Sequence, residues 1–253
     1  MNAFPATASP APFRVRVFAP PYERLGPALD PADLAPRCVE DGSVICIDPL
    51  SLDLAQWARS CGRLRRAIPQ ANLVLLDRGA PKLGPILGTR AGLLGVQAVL
   101  PPDGCTVAAL RESLTAPGLL EWEIRSWLRL VVPALPESTA DMAVDLFRLG
   151  FETHARIDVD EALPVTGRAA RYALGAGRLP PPGRWLRLGR TLPVLLACQR
   201  HPSTDLRIVA REAAMELRAL RSQSRSLFGA TPLAARNRLG WTWLLARFLQ
   251  KRK

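Results

Sequence analysis

Residues 204–236, TDLRIVAREAAMELRALRSQSRSLFGATPLAAR, leave the chain few ways to fold locally. They hold two short helical patterns with a break between them. Ile208, Val209, Ala213 and Ala214 give the first an apolar face. Met215, Leu217, Leu220, Ser224, Leu227 and Phe228 give the second an apolar stripe at helical spacing. Between those positions the second helix carries Arg218, Arg221, Ser222 and Arg225, with no acid after Glu216. Gly229 is placed to cap it in the left-handed conformation, and Thr231-Pro232 stops it from continuing. A short helix, a tight turn and a second helix with a bare cationic face fit a helix-turn-helix plan.

The same logic recurs upstream. Asp158 to Leu163 reads as a short helix, Thr166 as an N-cap, and Gly167 onward as a second helix. Ala170, Ala173 and Leu174 form its inner stripe, while Arg168, Arg171 and Tyr172 project elsewhere. Pro164 sits in the turn of this unit, and Gly177-Arg178-Leu179-Pro180 follows its second helix. A long helix from Pro182 to Cys198, carrying Arg187 and Arg190 and expected to kink at Pro193, joins the two units. An apolar helix over Leu239 to Leu249 closes the chain, with Trp241 and Trp243 read as packing residues.

These features resemble the double helix-turn-helix domain of the AraC/XylS family of transcription regulators. Val209-Ala210 and Phe228-Gly229-Ala230-Thr231-Pro232 carry the resemblance. The family's turn glycine and the phenylalanine after it are Ala214 and Met215 here, and the turn is about one residue shorter. The resemblance implies a DNA-binding regulator whose two helices enter major-groove segments about 34 Å apart. Arg218, Arg221 and Ser222, with Arg168 and Arg171, would then meet base edges, because an arginine fork bonds guanine O6 and N7 together. Arg225, Arg187 and Arg178 would hold phosphates.

Charge is distributed accordingly. Residues 1–150 carry 15 Lys or Arg and 15 Asp or Glu, whereas residues 151–253 carry 19 and 7, so the whole net charge of +12 lies in the last 103 residues. Such asymmetry points to an anionic partner for that part, here double-stranded DNA.

The first half reads differently. Residues 1–12 form a Pro/Ala-rich leader. Apolar runs at Phe13–Ala19, Ser43–Asp48, Ala71–Asp77 and Val96–Leu100 then alternate with helical patterns at Leu52–Ile68, Lys82–Leu94 and Val107–Leu114. Apolar strands alternating with helices predict a parallel sheet covered on both faces. The order resembles a response-regulator receiver domain, with Asp48 where that family has its phosphoacceptor. The chemistry does not follow the layout: Ala19-Pro20-Pro21 replaces the metal-binding acids, Asp77 the hydroxyl residue and Pro101-Pro102 the lysine. Asp48 is therefore expected to be inactive, capping the helix from Leu52 instead.

The expected fold is thus a flavodoxin- or receiver-like α/β domain over 13–117, a helical linker over 118–150, and an all-α domain over 151–253 with two helix-turn-helix units. Trp122 and Trp127 anchor the linker helix. The five cysteines are scattered without C-x-x-C spacing, which favours a reducing cytoplasm and gives no zinc site. No metal or other cofactor and no membrane span are expected, and a homodimer is compatible with the layout. The two histidines, His154 and His201, stand near no candidate nucleophile in sequence, so catalysis is not expected. The competing function is a non-catalytic adaptor that uses the same helices to bind a protein, or nucleic acid without regard to sequence.

Overall fold

The computed structural model describes residues 12–50, 54–76, 95–101, 105–116, 120–153 and 167–251. It is an α/β mixture whose C-terminal part is helical. Four strands, β1 (Phe13–Phe18), β2 (Val44–Pro49), β3 (Asn72–Leu76) and β4 (Ala98–Leu100), form one sheet in the order β1-β2-β3-β4. The runs VICIDP and NLVLL lie in its middle and are almost wholly buried, as strands covered on both faces must be. On one face sits α1 (Leu54–Ala67), burying Trp57, Cys61 and Leu64 against Phe13, Ile45 and Leu73. On the other sits α2 (Val107–Leu114), whose first turn is capped by the Thr106 hydroxyl accepting from the Ala109 amide.

The sheet is mixed, which corrects the expectation of a parallel one. β2, β3 and β4 are parallel, but β1 runs antiparallel to β2, pairing Phe13 with Pro49 and Phe18 with Val44. A parallel neighbour needs a long crossover, usually a helix. Residues 19–43 contain Pro20, Pro21, Pro27, Pro31 and Pro36 and form a one-turn 3-10 helix at Pro36–Cys38 and a single antiparallel bridge from Leu29 to Val15, with no crossover helix. The receiver-like arrangement places its first strand inside the sheet; here the first strand is an edge. Asp48 is buried, 6 % exposed, and lies within the β1–β2 ladder opposite Arg14. Residues 51–53, where Asp48 is expected to cap the helix, the helix over 82–94 and Asp77 lie outside the described residues.

The helical part comprises α3 (Leu120–Val131), α4 (Glu137–Glu152), α5 (Gly167–Ala176), α6 (Pro182–Arg200), α7 (Leu206–Glu212), α8 (Leu217–Phe228), α9 (Pro232–Arg236) and α10 (Thr242–Gln250). α6 is buried nearly all round and is the axis of this part. It crosses α4 with backbone nearly touching backbone: a Cβ on Gly189 would overlap the Phe147 carbonyl, and one on Gly150 the Leu186 carbonyl. The expected joining helix is therefore the centre of the core, and Pro193 lies within it. Trp127 is buried and donates to the Pro69 carbonyl, whereas Trp122 is partly exposed.

The sheet and the helices meet along a polar seam. Asn72 donates to the Leu239 carbonyl (2.9 Å) and accepts from the Thr242 hydroxyl (2.9 Å). The Tyr22 hydroxyl donates to the Gly42 carbonyl and accepts from the Leu239 amide. Asp41 holds both Arg238 (3.2 Å) and Arg247 (2.5 Å). The Trp241 indole donates to Glu123, whose carboxyl is pushed up to about 7 by burial, the indole hydrogen bond opposing the shift.

Candidate nucleic-acid interface

The geometry of 206–228 follows from its caps. Asp205 accepts from the Arg207 amide and starts α7. At the other end the Met215 amide bonds the Ala210 carbonyl (2.9 Å) and the Ala214 amide bonds the Arg211 carbonyl (3.0 Å). This nested pair is a Schellman closure, which requires its inner donor residue to be left-handed. Ala214 takes that role at φ +49°. The turn therefore needs a glycine-like conformation at residue 214, and an alanine supplies it at a steric cost. Ala214→Gly is expected to raise stability by about 0.5–1 kcal/mol, the relief exceeding the added chain entropy. The check is a higher urea midpoint at an unchanged slope.

Beyond the turn α8 runs to Gly229, which is left-handed at φ +67°. Thr231 then caps α9 by accepting from Ala234, with Pro232 at its first position. Leu220, Ser224, Leu227 and Phe228 are buried beneath α8. The Ser224 hydroxyl, lodged in this apolar stripe, donates to the Ala230 carbonyl (2.7 Å) and so costs little. Two cations near the end of the chain also support the helix. Lys251 donates to the Arg225 carbonyl (2.8 Å) and Arg247 to the Phe228 carbonyl (3.5 Å), both complementing the negative end of the helix dipole. Arg247 lies within α10 and Lys251 just beyond it, and nothing in their local sequence points to the end of α8.

Arg218, Arg221, Ser222 and Arg225 are all exposed on one face of α8. Among the described residues, every ion pair uses a carboxylate from the first 150 positions, and none engages these three arginines. Leaving three guanidinium groups together and unneutralised gives this face a field suited to an anion. Two residues assigned to the apolar face of this first pattern are exposed, Ile208 at 41 % and Ala214 in the turn, and Val209 and Ala210 are the residues turned inward.

α5 presents a second cationic face. Ala170 and Leu174 are buried, Arg168 and Arg171 are exposed, and Tyr172 is 81 % exposed. Arg171 turns its Nε back to the Gly167 carbonyl. The helix ends in the same nested closure as α7, Leu179 to Leu174 and Arg178 to Gly175, with Arg178 left-handed at φ +56°. Arg178 is exposed, and so is Arg187 on α6, whose Nε donates to the Gly183 carbonyl. Arg190 is half-buried and donates to the Thr153 carbonyl. The helix expected over Asp158–Leu163, Pro164, Thr166 and His154 lie outside the described residues.

No group of three His, Cys, Asp or Glu side chains suited to a metal occurs among the described residues. Nor is any described helix long and apolar enough to cross a membrane. No family model, curated protein or solved structure matches this chain.

Proposed function

We propose that the protein is a sequence-specific DNA-binding regulator of transcription and that α7 and α8 form a helix-turn-helix with α8 as the major-groove reader. The reading is carried by one observation: the exposed Arg218, Arg221, Ser222 and Arg225 share one face of a helix whose opposite face is buried. Arg218, Arg221 and Ser222 stand toward the N-terminal end of α8, where a recognition helix meets base edges. Arg225 lies one turn further on and serves phosphate. α5 is the second reader, with Arg168 and Arg171 toward bases, Tyr172 beside them, and Arg178 and Arg187 toward the backbone. Phosphate contacts supply most of the affinity and base contacts the discrimination.

Retention of a subset of genomic fragments in a gel shift at physiological salt, against excess random DNA, is the expected result. Binding that ignores sequence and falls steeply with salt would support the adaptor reading instead. On a selected site Arg221→Ala is expected to cost about 1–3 kcal/mol and to relax preference at one base position. Equal losses on selected and random DNA would assign Arg221 to phosphate.

A further inference from the structure

Two thiols meet across the sheet. Cys46 is fully buried in β2 and Cys105 is half-buried just before α2; their Sγ atoms lie 3.1 Å apart, with both cysteines reduced. They are 59 residues apart in sequence and sit among Phe18, Val44, Val74 and Leu110. A disulfide bond is about 2.0 Å long, so closure needs a movement of about 1 Å. The two thiols are not equivalent. The hydrogen bond between them, in which either sulfur can be the donor, holds the Cys105 thiol below the usual thiol range, whereas that bond and burial push Cys46 up. Cys105 is also the more accessible of the two. Cys61 and Cys198 are buried, and burial pushes their thiols up to about 12 and about 11. Low pKa together with access defines a reactive thiol.

We propose that Cys105 and Cys46 are a thiol-modification site, an attacking and a resolving cysteine that exchange with small-molecule disulfides of the glutathione type. The Cys105 thiolate attacks one sulfur of the small disulfide, forming a mixed disulfide and releasing one small thiolate. Cys46 then gives up its proton and attacks the Cys105 sulfur, expelling the second small thiolate. The two protein thiols lose two electrons, the small disulfide gains them, and the protons leave on the two small thiols. An excess of small thiol reverses both steps. The bond would pin the start of α2 to β2. The far end of α2 is already held, since Arg200 of α6 donates to both the hydroxyl and the carbonyl of Thr115.

The test is exposure of the full-length folded protein to oxidised glutathione, acid quenching, alkylation in denaturant and peptide mass mapping. Three of the five thiols are expected to remain alkylatable, with one Cys46–Cys105 cross-linked peptide and full recovery after dithiothreitol. Cys46→Ser, which keeps a hydrogen-bonding group beside Cys105, should accumulate a glutathione adduct on Cys105 at least about tenfold faster than on Cys61 or Cys198, and Cys46→Ala, which keeps only the access, should form the same adduct more slowly. Cys105→Ser should give neither adduct nor cross-link. Circular dichroism confirms that each variant is folded, and Cys46→Ala serves if Cys46→Ser is not. Five free thiols in the treated wild type, a cross-link through Cys38, or a folded Cys46 variant whose Cys105 resists the adduct would each overturn the proposal.

Discussion

Gly189→Ala is expected to lower stability by about 3 kcal/mol or more, although alanine is the better helix former. The added methyl would lie against the Phe147 carbonyl and the Phe151 amide, which are backbone atoms of α4 and cannot rotate away. α4 and α6 must therefore separate. Separation opens gaps around Phe147, Trp185 and Leu188, which are buried in the same cluster. Gly150→Ala meets the Leu186 carbonyl from the other helix and should behave alike. Gly175→Ala and Gly183→Ala are internal controls, because a Cβ at either place meets nothing within 4 Å. Gly175, inside α5, should gain up to about 1 kcal/mol from the same change. Urea unfolding followed by far-UV circular dichroism reads all four. A Gly189→Ala protein within about 1 kcal/mol of wild type would show that the two helices part freely, contrary to close packing.

Asn72→Leu is the second large effect, expected at about 2–3 kcal/mol. Asn72 is wholly buried at the head of β3 and bonds four groups: the Leu239 and Ser43 carbonyls, the Thr242 hydroxyl and the Gln97 amide. The Thr242 hydroxyl has a second acceptor in the Gln70 carbonyl, so it survives the loss. The Leu239 carbonyl has no such substitute among the described hydrogen bonds, and an orphaned buried acceptor costs about 1–3 kcal/mol. The isobutyl group must also share space with Gly240, which is left-handed at φ +69° and packs directly on the Asn72 amide. Tryptophan fluorescence is the sensitive readout, since Trp241 and Trp243 flank Thr242. An unchanged urea midpoint would mean that the seam adds nothing to folding.

What the chain's own letters disclosed was local. Uninterrupted apolar runs gave β2 and β3, because a strand buried on both faces has no polar side to show. The alternation of FRVRVF gave β1 as a strand but not its direction, which depends on the connection that follows. The five prolines between β1 and β2 were the available signal against a crossover helix. The stripe and punctuation of α8 were legible because twelve residues span more than three turns. α7 has only seven residues, too few to fix its phase, and Ile208 was assigned to the wrong side. The seam was invisible for another reason. Nothing near Asn72 in sequence says that its partners stand at positions 239 and 242, and the same holds for Cys46 and Cys105. Arginines on α5 and α8 could be chosen in advance because exposure there follows from helical period alone.

Arg247 reaches in two directions, to the Asp41 carboxylate in the loop before β2 and to the last carbonyl of α8. One donor group is thus shared by the sheet's rim and the outermost helix. With Nη2 on Asp41 and Nη1 on Phe228, this one side chain is a strut whose two ends are satisfied at the same time.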